Sequence, residues 1–283
     1  MSADLYARVT QTIVDSLQRG VVPWKKPWHC GASVPINVVS NRPYRGVNVL
    51  LLSLSTFSDS RWLTFNQVRD RGGVVRKGER GTTIVFWKQW EPPSAEDEQR
   101  RPIPILRQYS VFNAQQCDGL ELPELYEHQD TSKARIEKAE LLIQLMPTPP
   151  QIKDGGASAW YRPSDDLVVV PKIVDFESSD SYYSTLLHEL GHATGHASRL
   201  NRSGVTDRVI QFGSGEYSKE ELVAELTSCF CCAAVGLDNT HLQDSASYIS
   251  GWLKVLNDDP KAVVIAAAQA QRAADYIRGI TYQ

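Results

Sequence analysis

The chain has 283 residues, enough to bury a sizeable core and to divide into two domains. Its 42% hydrophobic and 22% charged residues are those of a soluble globular protein, and the lack of an apolar run of about 18 residues excludes a membrane-spanning helix. The net charge of −3 hides a division: residues 1–90 carry 13 Lys and Arg against 5 Asp and Glu, an excess of +8, and the rest carry 17 against 28, a deficit of −11. Five of the seven tryptophans also fall in residues 1–90. A basic, tryptophan-rich half joined to an acidic half points to two different partners, against the plainer account of a charged surface over a Trp-rich core.

The first residues lack a basic stretch followed by an apolar one, so no secretory leader is expected. Cys30, Cys117, Cys229, Cys231 and Cys232 are an odd, unevenly spaced set, which reads as reduced thiols in a cytoplasmic protein. Leu5, Val9, Ile13 and Leu17 recur at every fourth position and stop at Gly20, predicting an amphipathic helix. VPWKKPWHC (22–30) is a Pro-punctuated loop, and NRPYRGVN (41–48) leads into VLLLSLSTF, a buried helix or a strand. RWLTF (61–65) reads as a strand, NQVRDRGG as a short helix or turn, and TTIVFWK (82–88) as a strand. ILRQYSVFN (105–113) is the returning strand after the polar insertion 91–102. A helix over 131–146 is closed by Pro147, 147–156 is loop-rich, and 157–171 reads as strand, turn, strand. Helices follow at SSDSYYSTLLHELGHATGH, with Ser or Asp as N-cap, and at 218–236, 245–257 and 260–279.

Within TLLHELGHATGH (185–196), His188, Glu189 and His192 stand in the order H-E-x-x-H. Histidines at i and i+4 lie one turn apart on one helix face, where two imidazoles reach a single tetrahedral metal ion. The intervening Glu189 is placed to act as general base on a water at that ion. A third protein ligand is needed. His196 continues along the same line of the helix, and the spacing H-x-x-G-x-x-H is not met. Glu221 and Glu225 sit four apart on the next long helix, so that one can be the ligand and the other can support a histidine. Glu225 is the preferred ligand, because small residues follow it and permit close helix approach, with Glu221 as the alternative. The ion expected is divalent, zinc or, given an oxygen ligand, manganese. Tyr182, Tyr183 and Tyr217 are the candidates for polarising an oxyanion.

The basic half has the chemistry of sequence-tolerant single-strand binding, which needs cations along a groove and aromatic faces for the bases. The cations are Lys25, Lys26, Arg42, Arg45, Arg76, Lys77 and Arg80, and the aromatic candidates are Trp24, Trp28, Tyr44, Trp62 and Phe65. Gly46, Gly78 and Gly81 would let backbone N–H groups approach phosphates.

HELGHATGHASRLNR followed by EELVAEL resembles the zincin-like metallopeptidase domain of ArdC-type antirestriction proteins. VPWKKPW, NRPYRGVN, WLTFNQ and KGERGTTIVFWK resemble the single-stranded-DNA-binding domain of the same family. The resemblance covers nearly the whole chain in the matching order. It implies an antirestriction protein of a mobile element that protects incoming single-stranded DNA from host restriction. The expectation is therefore an α+β protein of two domains, a small mixed single-stranded-DNA-binding domain (1–128) and a zincin-like domain (129–283). Its partners would be single-stranded DNA and a protein substrate still to be identified. Two rivals stand beside it: a non-enzymatic DNA shield with a structural metal, and a DNA-tethered protease acting on DNA-bound proteins.

Overall fold

The computed structural model describes residues 2–25, 34–90, 103–122, 131–206, 214–240 and 246–280. The chain opens with helix α1 (Ser2–Gln18), which buries Leu5, Val9, Ile13 and Leu17 and ends near Gly20 at φ 75°. Strands β1 (Ile36–Asn37) and β2 (Arg42–Pro43) precede α2 (Val47–Ser53). The apolar stretch that sequence left between helix and strand is thus a helix, with Val47, Val49, Leu50, Leu51 and Leu52 all buried. Then come β3 (Arg61–Thr64), α3 (Phe65–Asp70), β4 (Val74–Val75), β5 (Thr82–Trp90), β6 (Ile103–Asn113) and β7 (Cys117–Asp118). Thr64 and Gln67 form a capping box that starts α3 directly off β3.

The main sheet has the order β2-β1-β3-β6-β5, with β1 and β3 parallel and the other pairs antiparallel. One face, carrying Val85 and Leu106, packs beneath α1 and α2, and Tyr6 meets Trp87 at 6.0 Å between ring centroids. The outer edge of β5 is capped by a side chain: the Asn48 amide donates to the Val85 carbonyl and accepts from its N–H, both at 2.8 Å. A buried amide here satisfies backbone groups that an open strand edge would leave to another chain.

The second half begins with α4 (Ser132–Gln144), followed by β8 (Gln151–Asp154), β9 (Trp160–Arg162) and β10 (Leu167–Val170) in the order β8-β10-β9. Strand β8 lies where sequence suggested only loop; all four of its residues are exposed, so no apolar alternation marked it. A turn at Ile173–Asp175 leads to α5 (Ser179–Ala193), capped by Ser178, whose hydroxyl accepts from the Ser181 N–H. The short α6 (Ser203–Thr206) precedes α7 (Gly215–Val235), α8 (Ala246–Asp258) and α9 (Ala262–Ile277). Between them, Arg199 pairs with Asp166 and donates to the Ala193 carbonyl at 2.7 Å, tying the β9–β10 turn to the end of α5.

The expected boundary at 128/129 falls outside the described residues, and on either side of it the core is shared. A single cluster of buried side chains runs from Leu5 and Trp24 through Leu187 and Leu226 to Ile277. Helices α8 and α9 fold back onto the N-terminal half. Trp24 stacks edge-on against Trp252 at 5.3 Å, Thr10 donates to the Pro260 carbonyl at 2.6 Å, and Asn239 donates to the Trp24 carbonyl at 2.7 Å.

Candidate metal centre

The site forms where α5 lies against α7. Gly191 permits the approach: a Cβ there would stand 3.1 Å from Ala224 Cα and 3.2 Å from both the Ala224 oxygen and Thr227 Cβ. His188 and His192, one turn apart on α5, present their rings to each other at 4.9 Å. Each Nε2 faces one oxygen of the Glu221 carboxylate, at 3.5 Å in both cases. The other ring nitrogens turn away: His188 Nδ1 donates to Glu225 at 3.0 Å and His192 Nδ1 to Glu220 at 3.4 Å. All three carboxylates come from α7, and Glu220 is held in turn by the buried Arg202, at 2.5 Å and 3.1 Å.

This reverses the anticipated placement of the two glutamates. Glu225, preferred as ligand on spacing, sits behind His188, and Glu221 is the carboxylate that joins both histidines. One ligand atom from each of His188, His192 and Glu221 lies within 4.8 Å of the others. Tetrahedral bonds of about 2.0–2.1 Å put neighbouring donors roughly 3.3 Å apart, so this donor set fits a divalent ion. Helix geometry gives the reason: Glu221 and Glu225 share one face of α7, and the crossing of α7 over α5 decides which of them reaches the gap. His196 lies beyond the helix, with its Nδ1 on Ser198 at 2.8 Å.

Electrostatics agree with a cation-binding site. Burial acts to lower the His188 pKa, but hydrogen bonds to Glu221 and Glu225 and the charge of Glu189 overcome it and leave it well above the usual value. His192 is raised likewise, against burial, by Glu220 and the charge of Glu221. Burial would raise Glu221, yet His188, His192 and a hydrogen bond from Tyr217 bring it down to about 2. Glu220 is lowered, against burial, by His192 and Arg202. Positive charge is welcome among these carboxylates, as a proton or as a metal ion.

Of the three tyrosines considered, Tyr182 donates to Asp154 at 3.1 Å and Tyr183 to Glu140 at 2.9 Å, so both hydroxyls are engaged elsewhere. Tyr217 alone of the three bonds into the cluster, through Glu221. A cleft of about 920 Å³ opens onto His188, Glu221 and Glu225. Its walls include the Gly156–Ala159 loop beside the edge strand β9, Phe176 and Trp252. Asp175 and Glu177 also line it, and no Lys or Arg does among the described residues.

The expected DNA contacts are scattered by comparison. Trp24 is fully buried and Trp62 is 1% exposed, so both are core residues and offer no face to a base. Arg76 is engaged by Glu79 at 3.0 Å and by the Gln115 carbonyl at 2.5 Å, and Arg45 pairs with Asp275. Lys77 and Arg80 are exposed, Phe65 is exposed, and Lys25 is half-buried. Arg42, Tyr44 and Arg45 line one groove together. Lys26 and Trp28 lie outside the described residues. The sequence reading missed Glu220 and Arg202 at the metal centre, because neither belongs to a spaced motif. It also missed the exposed aromatic pair Phe86 and Tyr109, 5.9 Å apart, because strand alternation alone does not say which face is covered.

These features are those of a zincin-like metallopeptidase, and residues 137–269 match the family described as zincin-like metallopeptidase. Residues 3–112 match the N-terminal domain of anti-restriction factor ArdC. The crystal structure of antirestriction protein ArdC from the R388 plasmid, in its metal-free form, superposes with a TM-score of 0.80 at 36% identity, covering 97% of this chain and 96% of that one. The Mn(II)-bound form superposes with the same TM-score and covers 99% of each chain. The chain belongs to the ArdC antirestriction family. Protein y4eC of Sinorhizobium fredii (strain NBRC 101917 / NGR234) is 38% identical over 288 residues, covering 97% of this chain and 91% of that protein. DNA primase TraC of Escherichia coli is 37% identical over 288 residues, covering 95% of this chain, which spans only 19% of the primase. Among the described residues no helix is long and apolar enough to cross a membrane.

Proposed function

We propose that the protein is a metal-dependent peptidase joined to a single-stranded-DNA-binding region, and that together they protect the DNA of a mobile element from restriction. In this reading residues 1–128 contact DNA and residues 129–283 carry the peptidase. The observation behind the enzyme is the convergence of two Nε2 atoms and the Glu221 carboxylate beside a cleft that His188 and Glu221 line, with both Nδ1 atoms held by further carboxylates. His188, His192 and Glu221 would hold one divalent ion. Zinc suits the histidines and manganese the carboxylate, and the Mn(II)-bound form of the R388 protein supports an ion here. Such an ion supplies Lewis-acid polarisation of a carbonyl and of water. Glu225 and Glu220 fix the tautomer and direction of the two rings. Glu189, buried on α5 between the two histidines, takes the proton of the attacking water and returns it to the leaving amine. Tyr217 holds Glu221 in place.

The cleft itself argues for a polypeptide substrate. With Asp175, Glu177 and the α7 carboxylates on its walls it repels a phosphate backbone and accepts a neutral or basic peptide. The test is Glu189→Gln, which keeps the shape of the site but removes its proton acceptor. Bound metal, measured by elemental analysis, should stay near one ion per chain, and cleavage of an unstructured basic protein should fall by at least ~100-fold. Unchanged cleavage removes Glu189 from the mechanism. A parent protein that loads metal, cleaves nothing and unfolds when the metal is stripped supports the bracing role instead.

A further inference from the structure

The sheet leaves part of one face uncovered. Register pairs Ile84 with Tyr109 and Phe86 with Arg107, so these side chains share the face opposite α1. At one end of it Ile84 and Val111 are buried with Tyr44, Leu52 and Trp62. At the other, Phe86 (47% exposed) and Tyr109 (46% exposed) meet edge-to-face, flanked by the exposed Lys88 and Arg107. From this ribbon a groove of about 730 Å³ runs past the Arg42–Asn48 loop to α9. Its far wall is built from the second half of the chain: Val264, Ala268, Gln271 and Arg272. Gln271 accepts from the Gly46 N–H at 2.9 Å and Asp275 pairs with Arg45, which fix α9 against the loop.

The groove's charge is one-sided. No Asp or Glu lines it among the described residues. Arg42 and Arg272, which line it, and Lys88 and Arg107, beside it on the face of Phe86 and Tyr109, are exposed and have no hydrogen-bond or ion-pair partner among the described residues. Unpaired cations beside exposed ring faces in a concave setting match the needs of an unstacked nucleotide strand: phosphates for the cations, bases for the rings. A duplex stacks its own base faces and gains nothing from the rings.

We infer that this groove is a composite single-stranded nucleic-acid site, in which bases stack on Phe86 and Tyr109 and phosphates follow Arg42, Lys88, Arg107 and Arg272. The inference rests on the DNA-binding reading above and adds that α9, from the peptidase half, completes the site. The strand is therefore held against a helix that also packs on α7, the element carrying Glu221.

The test uses the full chain and a fluorescent oligothymidylate, titrated by anisotropy at several salt concentrations. Arg272→Ala should weaken binding and reduce the log–log salt slope by about 0.7, the share of one phosphate on a single strand. Phe86→Ala with Tyr109→Ala, which removes two stacks, should weaken binding roughly 30-fold or more and leave the slope unchanged. Tyr109→Phe keeps the ring and should keep the affinity, and since every position is exposed, melting temperatures should match the parent. A parent that binds while the Arg272 and aromatic variants bind equally well overturns the composite groove and spares the DNA-binding reading. A parent that binds no oligonucleotide overturns both. Equal binding of duplex, or equal competition by polyglutamate at matched charge, overturns the stacking site.

Discussion

At the level of single residues, the metal centre shows what spacing can and cannot decide. H-E-x-x-H determines that His188 and His192 share a face, because one helix turn is a local property. The third ligand is not local: Glu221 and Glu225 satisfy the same i+4 pattern, and only the rotation of α7 against α5 separates the carboxylate facing both Nε2 atoms from the one facing Nδ1. Glu220 follows from the same rotation, and Arg202 reaches it from a different element. The two roles carry different consequences. Glu225→Gln retains a hydrogen-bond acceptor for His188 and removes only support, so the affinity for Zn²⁺ or Mn²⁺ should fall roughly 10–100-fold. Glu221→Gln removes a charged ligand, so the loss should be larger. Calorimetric titration of metal into both variants decides the order, and a greater loss in Glu225→Gln would return Glu225 to the ligand set. In the parent protein the ion must displace protons from histidines held above their usual pKa, so its affinity should rise with pH through that raised range, and less so where a carboxylate that raises them is neutralised.

Among elements, the candidate metal site is shared by two helices, and their spacing is set by Gly191, which belongs to none of the candidate ligands. The helices themselves were legible in sequence. Their apolar periods are long, Ser178 and Ser214 cap them at the N-terminus, and Gly236 at φ 75° ends α7. The exposed edge strand β8 and the covered face of β5 were not, since both depend on what packs against them. Trp62 lies in the core for the same reason that Phe86 does not: the covered part of the sheet face stops near Ile84. Gly191 is a similar case, because as a helical residue it looks like a defect. Alanine would favour the isolated helix by about 1 kcal/mol. Yet its Cβ would press on Ala224 backbone atoms at 3.1–3.2 Å, and backbone has little room to yield. Packing should win. Gly191→Ala is expected to push α5 from α7, lowering both the melting temperature and the affinity for the divalent ion with every ligand intact. A variant that is more stable and binds metal as before would show that the interface relaxes and that helix propensity is the larger effect.

Over the whole molecule, the charge division seen in the sequence becomes a division of surfaces. An acid-lined cleft opens onto the candidate metal site, and a groove lined by arginine, with no carboxylate among the described residues, faces the uncovered sheet. In the proposed function, a nucleic-acid strand attracted to the second would be repelled by the first, so DNA could be held without competing for the cleft. These surfaces are not carried on separate bodies. Trp24 packs on Trp252, Thr10 caps the turn before α9, Arg45 pairs with Asp275, and one cluster of buried side chains joins α1 and α2 to α7, α8 and α9. Cutting near residue 128 would bare the inner side of α1 and the fully buried Trp24. The chain should therefore unfold as one unit. In urea, tryptophan fluorescence, weighted toward the first half, and far-UV circular dichroism, weighted toward the helices of the second, should give coincident transitions. A divalent ion at about 100 times its Kd should stabilise the native state by about 2.7 kcal/mol and move both probes together, even though the proposed ligands lie on α5 and α7. If the two probes separate, and metal shifts only the circular-dichroism transition, the halves are independent domains in contact and the shared core does not couple them.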